Sequence, residues 1–239
     1  MCSDERMRKT WLFVMALLPA YAADYCDPVK LAGPYAFQLS GLTTISGVQK
    51  PTASIGRVVF DGRGGLSGTA SATFSGFLLG NPVTGTYEAK QDCSVTWKLQ
   101  DDSGAFQNFT GTLSPDGARI QFRQSDQGGA TRGIMQKTSD SCSAANLLKR
   151  YSYTVSGSTT PMRRGDVAHT VDAKGTVDIA ENGSFQVDSD CSVRFALTLP
   201  DPDGTLTMRG FLVNGGLEIL AFQTDPGAMV SARFSPSPK

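Results

Sequence analysis

The chain has 239 residues, with 22 Lys+Arg, 22 Asp+Glu and a single His, so its formal net charge is zero. That balance gives no electrostatic grip on a polyanion and excludes nucleic acid as a partner. Forty per cent hydrophobic residues suffice for a core, and 26 glycines with 18% charge belong to a fold of many turns and few surface helices.

Residues 1–22 read as a secretory signal peptide. Arg6, Arg8 and Lys9 form a positive n-region. The apolar run from Trp11 to Pro19 is too short for a bilayer core, which needs about 20 residues. Ala20-Tyr21-Ala22 places small residues where a signal peptidase reads, so cleavage is expected before Ala23. Cys2 leaves with this segment, and Cys26, Cys93, Cys142 and Cys191 remain. An even count in an exported chain implies two disulfides. No later apolar run approaches spanning length, so the mature chain is expected to have no transmembrane segment and a secreted or periplasmic location.

Beyond the signal, the periodicity is that of strands. Tyr35, Phe37 and Leu39 alternate with Ala36 and Gln38, and Val95, Trp97 and Leu99 repeat the pattern. Phe106 to Leu113 and Ile120-Gln-Phe122 add half-buried strands. A short helical stretch is expected around Ser143–Leu148. Tyr151, Tyr153 and Val155, then Val193, Phe195 and Leu197, alternate again. Asp61-Gly62, Asp116-Gly117, Asn182-Gly183, Asp203-Gly204 and Asn214-Gly215 punctuate these runs with hairpin signals.

The chain also repeats itself. Cys26 precedes the Tyr35 strand as Cys142 precedes the Tyr151 strand, at the same distance. The segment from Gly85 through Asp92-Cys-Ser-Val95 to Trp97 matches, without a gap, that from Gly183 through Asp190-Cys-Ser-Val193 to Phe195. Gln124-Ser-Asp126 matches Gln223-Thr-Asp225. The reading is a signal (1–22) followed by two copies of one unit, 23–139 and a shorter 140–239, which lacks a counterpart of roughly residues 56–76. Equivalent positions make Cys26–Cys93 and Cys142–Cys191 the natural pairing. A swapped pairing, Cys26–Cys191 with Cys93–Cys142, also respects the symmetry and requires the copies to interlock. Each copy reads as an antiparallel meander of seven or eight strands that closes into a small up-and-down barrel, because closure removes exposed edges. A β-sandwich or one merged larger barrel is the alternative.

The Gly-x-Tyr-x-Phe opening at Gly33, the Val59-Phe-Asp-Gly-x-Gly64 hairpin and the Gly85-Thr-Tyr…Asp92-Cys93 strand resemble those of secreted bacterial β-barrel proteins. These are similar in outline to the calycin and allene-oxide-cyclase-like barrels. The resemblance rests on turn and core residues and implies a fold; function does not follow from fold.

Candidate chemistry is sparse. His169 stands alone, short of what a serine triad or a zinc site requires. Gly62-Arg-Gly-Gly65 reads as a hairpin tip, and Arg164-Gly-Asp166 as a turn tripeptide. Asp188, Asp190, Asp201 and Asp203 concentrate acid without the spacing of a calcium loop, so no metal and no cofactor are expected. Asp92 and Asp190 are the catalytic candidates, each an acid just before a buried cysteine. Tyr35, Phe37, Trp97, Phe122, Tyr151, Tyr153 and Phe195 are the ligand-pocket candidates. Three functions compete: a barrel that binds a small apolar or amphipathic ligand, a structural or interaction protein with an envelope or surface partner, and a cofactor-free isomerase or cyclase using a carboxyl of raised pKa.

Overall fold

The structure, a computed structural model, describes residues 26–45, 48–74, 77–159, 169–179, 184–199 and 204–238. The signal segment, the Arg164 tripeptide, the Asn182-Gly183 turn, Asp201 and Asp203 lie outside them.

Eight consecutive antiparallel strands form a closed barrel: β1 (Gly33–Ile45), β2 (Val48–Phe60), β3 (Gly65–Phe74), β4 (Phe77–Ala89), β5 (Ser94–Asp101), β6 (Phe106–Leu113), β7 (Arg119–Gln124) and β8 (Ala130–Lys137). Closure comes from β8 pairing back on β1, with Tyr35 opposite Lys137 and Leu42 opposite Ala130. Asp61 makes the turn between β2 and β3 by accepting from the Arg63 and Gly65 amides at 2.7 and 2.8 Å. Exposed Thr84, Glu88, Thr96, Gln121 and Arg123 on the outer wall of β4–β7 suit water, not lipid.

Seven further strands form a second sheet: β9 (Arg150–Thr159), β10 (Thr170–Asp178), β11 (Gln186–Val187), β12 (Ser192–Thr198), β13 (Thr205–Val213), β14 (Glu218–Gln223) and β15 (Ala228–Pro236). Its order is β10-β9-β15-β14-β13-β12-β11. That is the barrel's order with β3 removed, so among the described residues this sheet stays open where the barrel closes. Register locates the missing piece. Tyr35 faces Val58 and Phe37 faces Gly56 in the barrel, as Tyr151 faces Val177 and Tyr153 faces Gly175 in the sheet. Both glycines make room for the ring opposite: a Cβ would meet Phe37 at 2.5 Å and the Tyr153 hydroxyl at 2.6 Å. β10 therefore corresponds to the second half of β2, so the segment without a counterpart runs from about 61 to 84, not 56–76. It comprises β3 and the first half of β4. The sequence comparison misplaced it because strand β10 keeps the pairing of β2 but few of its residues.

Each matched motif has a structural task. Cys26–Cys93 and Cys142–Cys191 are the disulfides. Cys93 and Cys191 both take a left-handed backbone, φ 67°, unusual for a residue with a Cβ. Asp92 and Asp190 stabilise that turn by accepting from the amides of Ser94 and Ser192, each at 2.9 Å. The cysteine carbonyls then accept from Leu113 and Leu212, tying the turn to the next strand. Asp126 accepts from Asn108 N (2.8 Å) and Gln124 Nε2 (3.0 Å), and Asp225 from Thr207 N (2.9 Å) and Gln223 Nε2 (2.8 Å), so Gln-x-Asp is a hairpin clasp.

The matched tyrosines tie the first strand of each unit to a distant turn. The buried Tyr35 hydroxyl donates to Gly117 O at 2.5 Å, and the Tyr151 hydroxyl donates to Gly216 O at 2.6 Å while accepting from Leu148 N. Burial raises the pKa of both phenols, the Asp116 carboxylate adding to the effect at Tyr35. Tyr35→Phe leaves a buried carbonyl without its donor and is expected to lower the unfolding free energy by about 1–3 kcal/mol with the fold retained, read by urea denaturation. An unchanged denaturation midpoint would count against the tie.

The two sheets pack face to face on a third apolar cluster. Ala36 and Ile55, on the outer wall of β1 and β2, meet Phe211, Val213, Leu220 and Phe222 of β13 and β14. Gln38 Nε2 donates to Ala221 O (2.5 Å) and Ala232 O (3.1 Å), and Thr138 Oγ1 to Leu212 O (2.6 Å). At the margin, Gln136 donates to Glu218, which also pairs with Arg233. The expected helix at 143–148 is a single 3-10 turn, Ala144–Asn146, capped by Ser143.

Candidate functional site

The barrel interior differs from end to end. At the disulfide end the 3-10 turn Pro28–Leu31 tucks Leu31 fully under the strands. Above it Tyr35, Phe60 and Tyr87 pack edge to face, with centroids 5.3 and 4.8 Å apart. The next layer is Trp97, Phe109 and Phe122, at mutual centroid distances of 5.0–5.6 Å. Beyond this layer the side chains shrink: Ser54 on β2 and Ala70 and Ala72 on β3 line the interior where larger residues would fill it. The result is a cavity of about 680 Å³, open at the end away from the disulfide.

The deep wall of the cavity is apolar, with Phe37, Leu39, Val83, Leu99 and Phe109. Its rim is polar, with Thr43, Asn81, Asp101, Gln107, Gln124 and Asp126. Asp101 Oδ1 is engaged in its own loop, accepting from the Ser103 and Ala105 amides at 3.0 and 3.1 Å. Burial works to raise the Asp126 pKa, but donors from Asn108 and Gln124 outweigh it and the group titrates below its usual range. It is therefore a carboxylate at neutral pH, not an acid poised to give up a proton.

The sequence-level candidates divide. Phe37 lines the cavity, and Trp97 and Phe122 belong to the layer beneath. Tyr35 sits at the closed end, its hydroxyl turned to Gly117. Tyr151, Tyr153 and Phe195 belong to the core of the second sheet, where Phe195 stacks on Phe185 at 4.3 Å and meets Phe234 edge-on. Asp92 and Asp190 occupy the turns at the cysteines and are not among the residues lining the cavity. The Ser94 side chain and amide lower the pKa of the exposed Asp92. His169 is exposed, with Nδ1 2.8 Å from the Thr159 hydroxyl. Asp188 pairs with Arg194. Among the described residues no group of three His, Cys, Asp or Glu is placed to hold a metal. Sequence reasoning missed Leu39, Ala70, Ala72, Val83 and Leu99. Alternation marks them as inward, but only barrel closure brings them to one height.

No known protein family model matches the chain, and no curated protein matches it. Among solved structures it is similar to Transferrin Binding Protein B, a vaccine antigen from Haemophilus parasuis Hp5. A double mutant of that protein aligns at 9% identity with a TM-score of 0.24, and a single mutant at 10% and 0.22. Each alignment covers 85% of this chain and 75% of that chain.

Proposed function

We propose that the protein is an exported binding module whose barrel holds a small apolar or amphipathic molecule. The observation that carries this reading is the cavity of about 680 Å³, with an apolar wall, a polar rim and one open end. Pockets of roughly 300–1,000 Å³ suit drug-sized ligands, and barrel mouths are frequent sites for them. Export is supported by the n-region, the short apolar run and the small residues before Ala23, together with the two disulfides. In this reading 23–139 and 140–239 are two copies of one calycin-like unit. The first is the binding copy, and the second, with aromatic and aliphatic side chains packed through its core, is the mount.

The test is titration with a neutral apolar fluorophore, N-phenylnaphthylamine. Saturable one-to-one binding is expected. Ala70→Phe places a ring in the cavity and is expected to weaken binding at least tenfold, a change of about 1.4 kcal/mol, with the thermal midpoint held. Absence of saturable binding by the wild-type protein, or an Ala70→Phe variant that binds as tightly, would overturn the reading. Native mass spectrometry of protein purified from its host would then identify the cargo from its added mass.

A further inference from the structure

Charge at the mouth of the barrel is one-sided. Asp101 and Asp126 line the cavity, and among the described residues no Lys, Arg or His lines it. Lys50 on β2 and Lys98 on β5 are not part of the lining, and Lys98 holds its ammonium 4.1 Å from the Phe106 centroid. Arg123 and Arg132 are exposed and alternate outward with the buried Phe122, Gln124 and Thr131. The two carboxylates belong to neighbouring turns. Asp101 opens the β5–β6 turn, where its amide donates to Ala105 O at 3.0 Å. Asp126 sits in the β7–β8 turn and leans on β6, accepting from Asn108 N and Nδ2 at 2.8 and 2.7 Å. The start of β6, Phe106 and Gln107, runs between the two turns, and both of these residues line the cavity.

Neither carboxylate is neutralised. The donors that reach them are uncharged: Ser103 and Ala105 on Asp101, Asn108 and Gln124 on Asp126. Elsewhere Glu88, Asp178, Asp188 and Glu218 pair with Lys90, Arg150, Arg194 and Arg233, but among the described residues no such pair forms at Asp101 or Asp126. The bonds to the Asp101 side chain all fall on Oδ1, which leaves Oδ2 for an incoming group. Asp126 is ionised at neutral pH. Turn chemistry accounts for each carboxylate singly. It does not account for two of them opening on an apolar cavity without a counter-charge.

We infer that the cavity takes a cationic amphiphile, its apolar part against the deep wall and an ammonium head beside Asp101 and Asp126 at the rim. The inference rests on the cavity reading and adds to it the class of ligand. A head group at the rim keeps part of its hydration, so its desolvation costs little while the two carboxylates attract it. An anionic head would meet like charge there and find the Asn108 and Gln124 donors already turned to Asp126, so the same rim selects against it.

Calorimetric titration of the purified protein with decyltrimethylammonium, decanol and decyl sulfate, each below its micellar concentration, tests the head group at one chain length. The cation is expected to bind at least tenfold more tightly than the anion, a difference of about 1.4 kcal/mol, with the alcohol between them. Added salt is expected to narrow the gap. Asp101→Asn combined with Asp126→Asn is expected to erase the preference and leave decanol affinity within about twofold of wild type. Asp101→Asn alone keeps an Oδ1 acceptor for its turn. If the double variant misfolds, this one carries the test, with an expected loss of about threefold for the cation only. Asp172→Asn removes an exposed carboxylate from β10 in the second sheet and is expected to change none of the three affinities. Equal affinity of the wild-type protein for cation and anion, or a preference undiminished in the carboxylate variants, would overturn the inference. Binding of decanol and N-phenylnaphthylamine without any head-group preference rejects it and leaves the cavity reading standing, whereas no saturable binding of any probe rejects both.

Discussion

Replacing Cys26 and Cys93 together by Ser is expected to lower the stability of the barrel by about 4 kcal/mol. The bond closes a 67-residue separation, and in the chain-entropy account its removal releases that much freedom in the unfolded ensemble. A domain of this size has a total stability of roughly 5–15 kcal/mol, so the bond supplies from about a quarter to most of the margin. The bond also ties the lead that carries Pro28–Leu31 to the turn before β5. Without it the turn under the barrel loses its anchor, and the left-handed residue at 93 loses the cross-link that helps hold it. Thermal unfolding read by circular dichroism, with and without reductant, checks the expectation. The midpoint should fall by on the order of 15 °C or more, and reductant, which also opens Cys142–Cys191, should lower the wild-type protein at least as far. A shift of a few degrees would mean that packing alone closes this end.

Phe109→Ala is expected to cost about 3–5 kcal/mol, the range for truncating a buried aromatic side chain. Phe109 is 2% exposed, stacks on Trp97 at 5.4 Å and meets Phe122 edge-on at 5.6 Å. It also belongs to the cavity wall, so the same substitution opens the layer beneath. The expected signature is a protein that unfolds at lower denaturant yet gains affinity for a long-chain alcohol relative to a short one. Stability lost without any change in chain-length preference would place Phe109 in the core only.

Much of this architecture is legible in the residues. Alternation at Tyr35-Phe37-Leu39 and Val95-Trp97-Leu99 marks inward faces, and all six of these side chains face the barrel interior. The repeated Asp-Cys-Ser, Tyr and Gln-x-Asp elements recur because the same turn, tie and clasp are built twice. That repetition speaks of structure, which is why Asp92 and Asp190, prominent in the sequence, turn out to serve a backbone turn. Gly210-Phe-Leu-Val213 and Ile219-Leu-Ala-Phe222 are continuous apolar runs, the mark of strands covered on both faces. Phe211, Val213, Leu220 and Phe222 meet the barrel, while Leu212, Ile219 and Ala221 face their own core.

By itself the sequence determined the strand periodicity, the repeat and the cysteine positions, because side-chain alternation and turn chemistry act over a few residues. Whether a sheet closes, which of its ends is plugged and where a cavity remains depend on residues far apart in the chain reaching the same height. Ala70, Ala72 and Ser54 are unremarkable one by one. They become the wall of a cavity only when β8 returns to β1 and sets them opposite Leu99 and Phe109. Among the described residues the second sheet has no strand equivalent to β3 and stays open for the same reason: closure is a property of the whole ladder, not of any of its staves.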